Sequence, residues 1–195
     1  MSTQTSIRFF HAAPTIPFVN IYVNGALLNE CLSHTKVSEY IPLTEGQYRI
    51  DAYQTDDTDK LLYSAVIPII DGHSYTIAIT KNRSELQFVP TIDDMEVPRG
   101  ETKFRVMNLS HHLGTIDVAV TGGDVLFHSI SMNEISTYMA IVPMKVNLEV
   151  RPTGTRNVLL SIVRAAFTAD QSYTIYLLDS AEGHSLAEVL LIPHI

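Results

Sequence analysis

The stretch SYTIAI, beginning at Ser74, returns as SYTIYL at Ser172, about 98 residues further on. At nearly the same offset VSEYIPL from Val37 falls on ISTYMAI from Ile135, and VNIYVNG from Val19 falls on IDVAVTG from Ile116. The two halves also close alike, ELQFVPTI at Ile92 and EVLLIPHI at Ile195, once about five residues are allowed for the longer DSAEGHSLA loop. An ordered repeat of this length points to two copies of one domain, each long enough to bury a core of its own. The boundaries expected are 1–92 for the first domain and 103–195 for the second, with 93–102 as an acidic linker broken at Pro98, Arg99 and Gly100.

Within each copy the apolar residues recur every second position. Val19, Ile21 and Val23 share one face while Asn20, Tyr22 and Asn24 share the other, which is strand spacing and not helix spacing. Similar runs lie at 5–12, 26–31, 36–43, 47–54, 61–69, 74–80 and 85–90, each bounded by turn residues. Asn24-Gly25 is the strongest hairpin signal, since both central residues of a type I′ turn need positive φ; Gly122-Gly123 answers it in the second copy. Tyr75 and Tyr173 each follow a turn and enter a late strand, as the hydroxyl-to-backbone tyrosine corner of sandwich domains requires. The fold expected is all-β: two tandem immunoglobulin-like antiparallel β-sandwich domains.

Charge and composition narrow the function. The net charge of -8, with Lys and Arg scattered along the chain, opposes binding to a phosphate backbone, so nucleic acid is not an expected partner. No run of apolar residues is long enough for a membrane span, and MSTQTSIRFF has neither the basic start nor the apolar run of a secretory signal. A lone cysteine, Cys31, excludes an intrachain disulfide and a Cys-based zinc cluster while leaving the compartment open.

Candidate chemistry is sparse. Cys31 and His34 in CLSH are a nucleophile and a base by type, but three residues apart on an extended chain they project to opposite faces. His11, His111 and His112 are loop histidines able to ligate a metal, although the alignment sets Asn108 opposite His11 and so implies no symmetric site. Asp56, Asp57 and Asp59 are dense enough in oxygen to suggest calcium, but lack the glycine turn and distal glutamate of an EF-hand loop and suit a solvated hairpin tip. Asp93, Asp94 and Glu96 in the linker are weighed in the same way. For carbohydrate, Tyr22, Tyr53 and Tyr63 lie in strand patterns and are candidates for an outward platform, in a chain without tryptophan. No Gly-rich phosphate loop, G-x-S-x-G or H-E-x-x-H occurs, so neither enzyme chemistry nor a cofactor is expected.

Three quoted segments, RFFHAAPTIPFVNIYVNGALL, VSEYIPLTEGQYRIDAY and DGHSYTIAI, together resemble the bacterial domain-of-unknown-function family DUF4397. The resemblance covers nearly all of the first copy and, more weakly, the second. It implies tandem immunoglobulin-like sandwiches on exported or envelope proteins, with no catalytic residues to carry over. The second copy departs from the pattern, reading NLSHHLG for the His-Ala-Pro lead-in and PMKVNLEV for the G-x-Y strand. The expectation is therefore a non-enzymatic binding or structural module at a bacterial cell or spore surface, or released from the cell, with a cytoplasmic location left open. Its partner would be a protein or a glycan met by loops or exposed strand edges, and the same edges offer a route to homo-oligomers. A carbohydrate-binding accessory module and a self-assembling fibre subunit are the alternatives. His11 is expected to order its loop by a backbone hydrogen bond.

Overall fold

The computed structural model describes residues 5–82, 85–181 and 187–194, with the side chains of 57–59 and 82 outside the description. The chain divides into two compact units, Met1–Asp94 and Met95–Ile195. Among the described residues every regular element is a strand.

The first unit contains β1 (Ser6–His11), β2 (Phe18–Val23), β3 (Ala26–Ser33), β4 (Ile41–Pro42), β5 (Gly46–Gln54), β6 (Asp57–Ile69), β7 (Ser74–Asn82) and β8 (Glu85–Asp93). They form two four-stranded sheets, in the orders β4-β1-β7-β8 and β3-β2-β5-β6. Alternation puts Ile7 and Phe9 of β1, Val19 and Ile21 of β2, Ile50 and Ala52 of β5, and Ile77 and Ile79 of β7 into one shared apolar cluster between the sheets. These side chains are fully buried, and each contributes about 1.5–3 kcal/mol of burial if large and aliphatic.

The second unit contains β9 (Thr102–Asn108), β10 (Ile116–Val120), β11 (Val125–Ile130), β12 (Met139–Ile141), β13 (Met144–Pro152), β14 (Leu160–Phe167), β15 (Gln171–Leu178) and β16 (Glu188–His194). Its sheets run β12-β9-β15-β16 and β11-β10-β13-β14, and Phe104, Val118, Leu148 and Ile175 sit at the centre of its own cluster.

One expectation is corrected. The sheets are not wholly antiparallel, since β1 pairs in parallel with β7, Ser6 opposite Ser74 and His11 opposite Ile79, and β9 pairs in parallel with β15. Period-two alternation is identical in parallel and antiparallel strands, and the long connection from β1 to β7 permits either direction.

The turns also differ between units. Asn24 and Gly25 both have positive φ, 49° and 82°, and close the β2–β3 hairpin between Val23 and Ala26 as a type I′ turn. Of Gly122-Gly123 only Gly122 has positive φ, and the Gly123 N–H returns to the Val120 carbonyl at 2.8 Å, giving a different turn.

Candidate functional site

Four strands of the first unit carry one outward row. Asn20, Tyr22 and the residues paired with them face away from the core, because Val19, Ile21 and Val23 face into it. Tyr22 pairs with Leu27 on β3 and Asp51 on β5, and Tyr53 on β5 pairs with Leu61 on β6. Cross-strand partners share a face, so Leu27, Tyr22, Tyr53 and Leu61 cross the sheet with one residue from each strand. The two tyrosine rings meet edge to face with centroids 5.2 Å apart, a geometry that locks both. Leu27 and Leu61 are exposed. A polar row lies alongside: Arg49 Nε donates to Asp51 Oδ1 at 2.9 Å, Ser64 Oγ donates to the same oxygen, and Val66, 61% exposed, stands opposite Arg49.

Tyr63 is not part of this row, which corrects one sequence expectation. It pairs with inward Ala52 and stacks on Phe88 with centroids 5.0 Å apart. Plain alternation along β6 sets Tyr63 in phase with Ile67 and Ile69 of the core, and the register shift between the Ala52 and Tyr53 pairings turns Leu61 outward beside Tyr53. The matching face of the second unit lacks aromatics: Ala119 pairs with Glu149 and Asp117 with Arg151, and Arg151 Nε and Nη2 donate to Glu149 Oε1 beside a recess of about 850 Å³.

The rims are braced by buried side chains. Asn20 Oδ1 accepts the Cys31 N–H at 2.8 Å, and Asp117 Oδ1 accepts the Ser129 N–H at 2.8 Å. Cys31 and Ser129 both adopt the left-handed conformation, with φ 55° and 54°, at irregularities in the β2–β3 and β10–β11 ladders. Burial pushes the Asp117 carboxyl up, but N–H groups of Ser129 and Gly154 and the Thr153 hydroxyl outweigh it and hold the group below its ordinary value. Cys31 is exposed at this bulge, and His34 contacts the His11 ring edge to face at 5.9 Å.

His11 is fully buried at the end of β1. Its Nδ1 accepts the Ala13 N–H at 3.3 Å. Burial, with His34 beside it, lowers its pKa to about 4, so the ring is neutral at pH 7. Asn108 holds the corresponding place in β9, where Oδ1 accepts the Ser110 N–H and Nδ2 donates to the Gly114 and Ile130 carbonyls.

Ser110, His112 and Asp179 are the residue types of a hydrolase triad, in the wrong arrangement. Ser110 Oγ donates directly to Asp179 Oδ1, which also receives His112 Nδ1 at 2.9 Å and the His111 N–H at 3.0 Å. A triad needs the imidazole between hydroxyl and carboxylate; here the hydroxyl bypasses it. Burial raises the Asp179 carboxyl, and these donors more than reverse the effect, leaving it below the usual carboxylate range. His111 and His112 thus belong to a loop closed over Asp179. Among the described residues no group of three His, Cys, Asp or Glu is placed to hold a metal. Asp56 is exposed, and the side chains of Asp57 and Asp59 lie outside the described residues.

Asp93, expected in the linker, instead ends β8 opposite Ser74. It is buried, and its Oδ2 accepts Tyr40 Oη at 2.8 Å and the Thr76 hydroxyl. Arg8 Nε donates to Thr76 Oγ1 at 2.8 Å while its guanidinium lies 4.4 Å from the centre of the Tyr40 ring. Burial, then the Asp93 carboxylate, push the Tyr40 hydroxyl far above its ordinary pKa. The second unit has Arg105, Tyr138, Thr174 and His194 in the same relation, with Thr174 Oγ1 2.8 Å from His194 Nε2. The sequence signal was the repeated S-x-Y of VSEY and ISTY, legible as alternation but not as a polar cluster. Tyr75 Oη accepts the Ile70 N–H and Tyr173 Oη the Thr168 N–H, each at 3.2 Å.

No helix among the described residues is long and apolar enough to cross a membrane. No curated protein matches the chain. Solved structures similar to it include a candidate cell adhesion protein from Bacteroides uniformis, 14% identical over 98% of this chain and 97% of that one, TM-score 0.27. Another is a family 26 carbohydrate-binding module from Eubacterium rectale in complex with maltoheptaose, 8% identical over 97% of each chain, TM-score 0.31. A candidate cell adhesion protein from Bacteroides fragilis is 9% identical over 98% of each chain, TM-score 0.21. Identities and TM-scores this low carry no functional inference. A family model does match, over residues 5–119 and so more than half of the chain, and the chain belongs to that family, the domain of unknown function DUF4397.

Proposed function

We propose that this chain is a non-enzymatic binding module of a bacterial cell-surface, spore-surface or exported protein, and that it meets its target through the outward face of β3-β2-β5-β6. The observation that carries this reading is the row Leu27, Tyr22, Tyr53 and Leu61, an apolar and aromatic band across four strands beside a polar row. Such a band costs solubility unless it is covered, and fixed aromatic side chains dominate contact energies because little conformational freedom is lost on binding. A narrower reading, carbohydrate binding, is favoured by the tyrosine pair itself, since each ring offers an apolar surface and a hydroxyl to a sugar.

The two units are further inferred to be immunoglobulin-like sandwiches descended from one repeated domain of about 98 residues. Their common strand order and their matched left-handed residues, Cys31 with Ser129 and Thr35 with Asn133, support this. Retention of the purified chain on envelope or spore material tests the binding role. Retention above that of an unrelated β-sandwich protein is expected, and equal retention would remove the proposal. A glycan array tests the narrower reading, which fails if no glycan is held.

A further inference from the structure

The strand positions that carry the tyrosine row in the first unit carry an ion pair in the second. Laying VNIYVNG on IDVAVTG sets Ala119 at the place of Tyr22. Ala119 pairs with Glu149 as Tyr22 does with Asp51, and Asp117 pairs with Arg151 as Asn20 does with Tyr53, so Glu149 and Arg151 stand where the first unit has Asp51 and Tyr53. Both rings are thereby lost. The recess of about 850 Å³ opens here, lined by Glu149 and Arg151 and bordered by Gly122, Gly123 and Gly154, which have no side chains to fill it.

The side chains of Glu149 and Arg151 are only 8% and 9% exposed, and Arg151 gives both Nε and Nη2 to one oxygen, Glu149 Oε1. Glu149 Oε2 and Arg151 Nη1 have no hydrogen-bond partner among the described residues, and neither atom is sealed from solvent. Charged groups this deep are costly to leave partly unsatisfied, so the recess offers an acceptor and a donor side by side. Asp117 is already occupied by Ser129, Thr153 and Gly154. Asp124 and Arg156, both exposed, repeat the acceptor and the donor at the rim. Asp117, Asp124 and Glu149 face Arg151 and Arg156, with the His128 imidazole beside them, so neither an anion nor a cation meets a field of one sign. Val125 is the one aliphatic side chain of the lining, which denies a protein partner an apolar anchor. A sugar hydroxyl both donates and accepts, and two neighbouring hydroxyls satisfy a carboxylate oxygen and a guanidinium nitrogen together. The volume is in the range of small-ligand sites.

We propose that this recess binds a neutral saccharide through two adjacent hydroxyls, one donating to Glu149 Oε2 and its neighbour accepting from Arg151 Nη1. The site shares no residue with the tyrosine row and does not rest on it. Calorimetric titration of the full chain with maltotriose, cellotriose and mannotriose tests it, with the chitosan trimer and trigalacturonate as charged trisaccharides of the same size. At least one neutral trisaccharide should bind about tenfold or more tighter than either charged one, with an affinity that added salt leaves unchanged. Glu149→Leu/Arg151→Met removes acceptor and donor together and strands no buried charge, and it should weaken that binding about tenfold or more. The Tyr22→Ala/Tyr53→Ala double variant should leave this constant unchanged even if it abolishes retention on envelope material. Absence of binding by all three neutral probes, equal or tighter binding of a charged one, or full affinity in Glu149→Leu/Arg151→Met would overturn the proposal. If that variant lacks a wild-type unfolding transition, unchanged affinity in the rim variant Asp124→Ala/Arg156→Ala overturns it instead.

Discussion

His11 and Asn108 close the first strands of their units with different atoms. Each accepts the N–H two residues ahead, but only His11 titrates, and its pKa of about 4 lies below the 6.5 of an unfolded chain. Protonation therefore favours the unfolded state. The folded state bears no such cost above about pH 6.5, and loses stability as the pH falls, up to about 3 kcal/mol below pH 4. His11→Asn installs the second unit's solution in the first. Thermal unfolding between pH 7 and pH 4.5 should show a smaller drop in Tm for the variant than for wild type; an equal drop would refute this account of His11. The same scale applies to the bulge braces. Asp117→Ala orphans the Ser129 and Gly154 N–H groups and should cost about 2 kcal/mol in denaturant unfolding, more than Asn20→Ala, which orphans the Cys31 N–H. The sequence showed Asn20 and Asp117 only as outward positions in an alternating strand, because a brace depends on a bulge that no local pattern specifies.

Among the elements, β4 and β12 are short because side chains do part of their ladder's work. The run at 36–43 reads as a full strand, yet only Ile41–Pro42 is regular. Upstream, Ser38 N–H donates to the Phe9 carbonyl while Ser38 Oγ accepts the Phe9 N–H; Ser136 and Val106 repeat the pair. Ser38→Ala and Ser136→Ala should each cost about 1 kcal/mol, read by denaturant unfolding, and a neutral result for both would show that water replaces the hydroxyl. Strand existence and the Asn24-Gly25 hairpin were legible because alternation and turn chemistry are local. Tyr63 alternates with Ile67 and Ile69, a phase that the run at 61–69 itself carries, whereas the parallel pairing of β1 with β7 was not legible, since it depends on distant partners. Asp93 was misplaced for the same reason: Tyr40 and Thr76, which hold it, are far away in sequence.

For the whole molecule, two separate cores and near-identical strand orders serve outward faces of different chemistry. The first unit presents Leu27, Tyr22, Tyr53 and Leu61; the second presents the Glu149–Arg151 pair. Because its core is contributed by its own strands, residues 1–94 expressed alone should give one cooperative unfolding transition, and a chain without one would contradict the division. The Asn20 and Asp117 braces and the Tyr75 and Tyr173 hydroxyl-to-backbone bonds recur in both units, and the aromatic row does not. The decisive measurement is the dissociation constant of the full chain on immobilised envelope material, compared with Tyr22→Ala/Tyr53→Ala and with Val163→Ser, an exposed apolar position of the second unit. The double variant should bind about tenfold or more weakly, with Val163→Ser unchanged. Wild-type affinity in the double variant would contradict the assignment of the binding face.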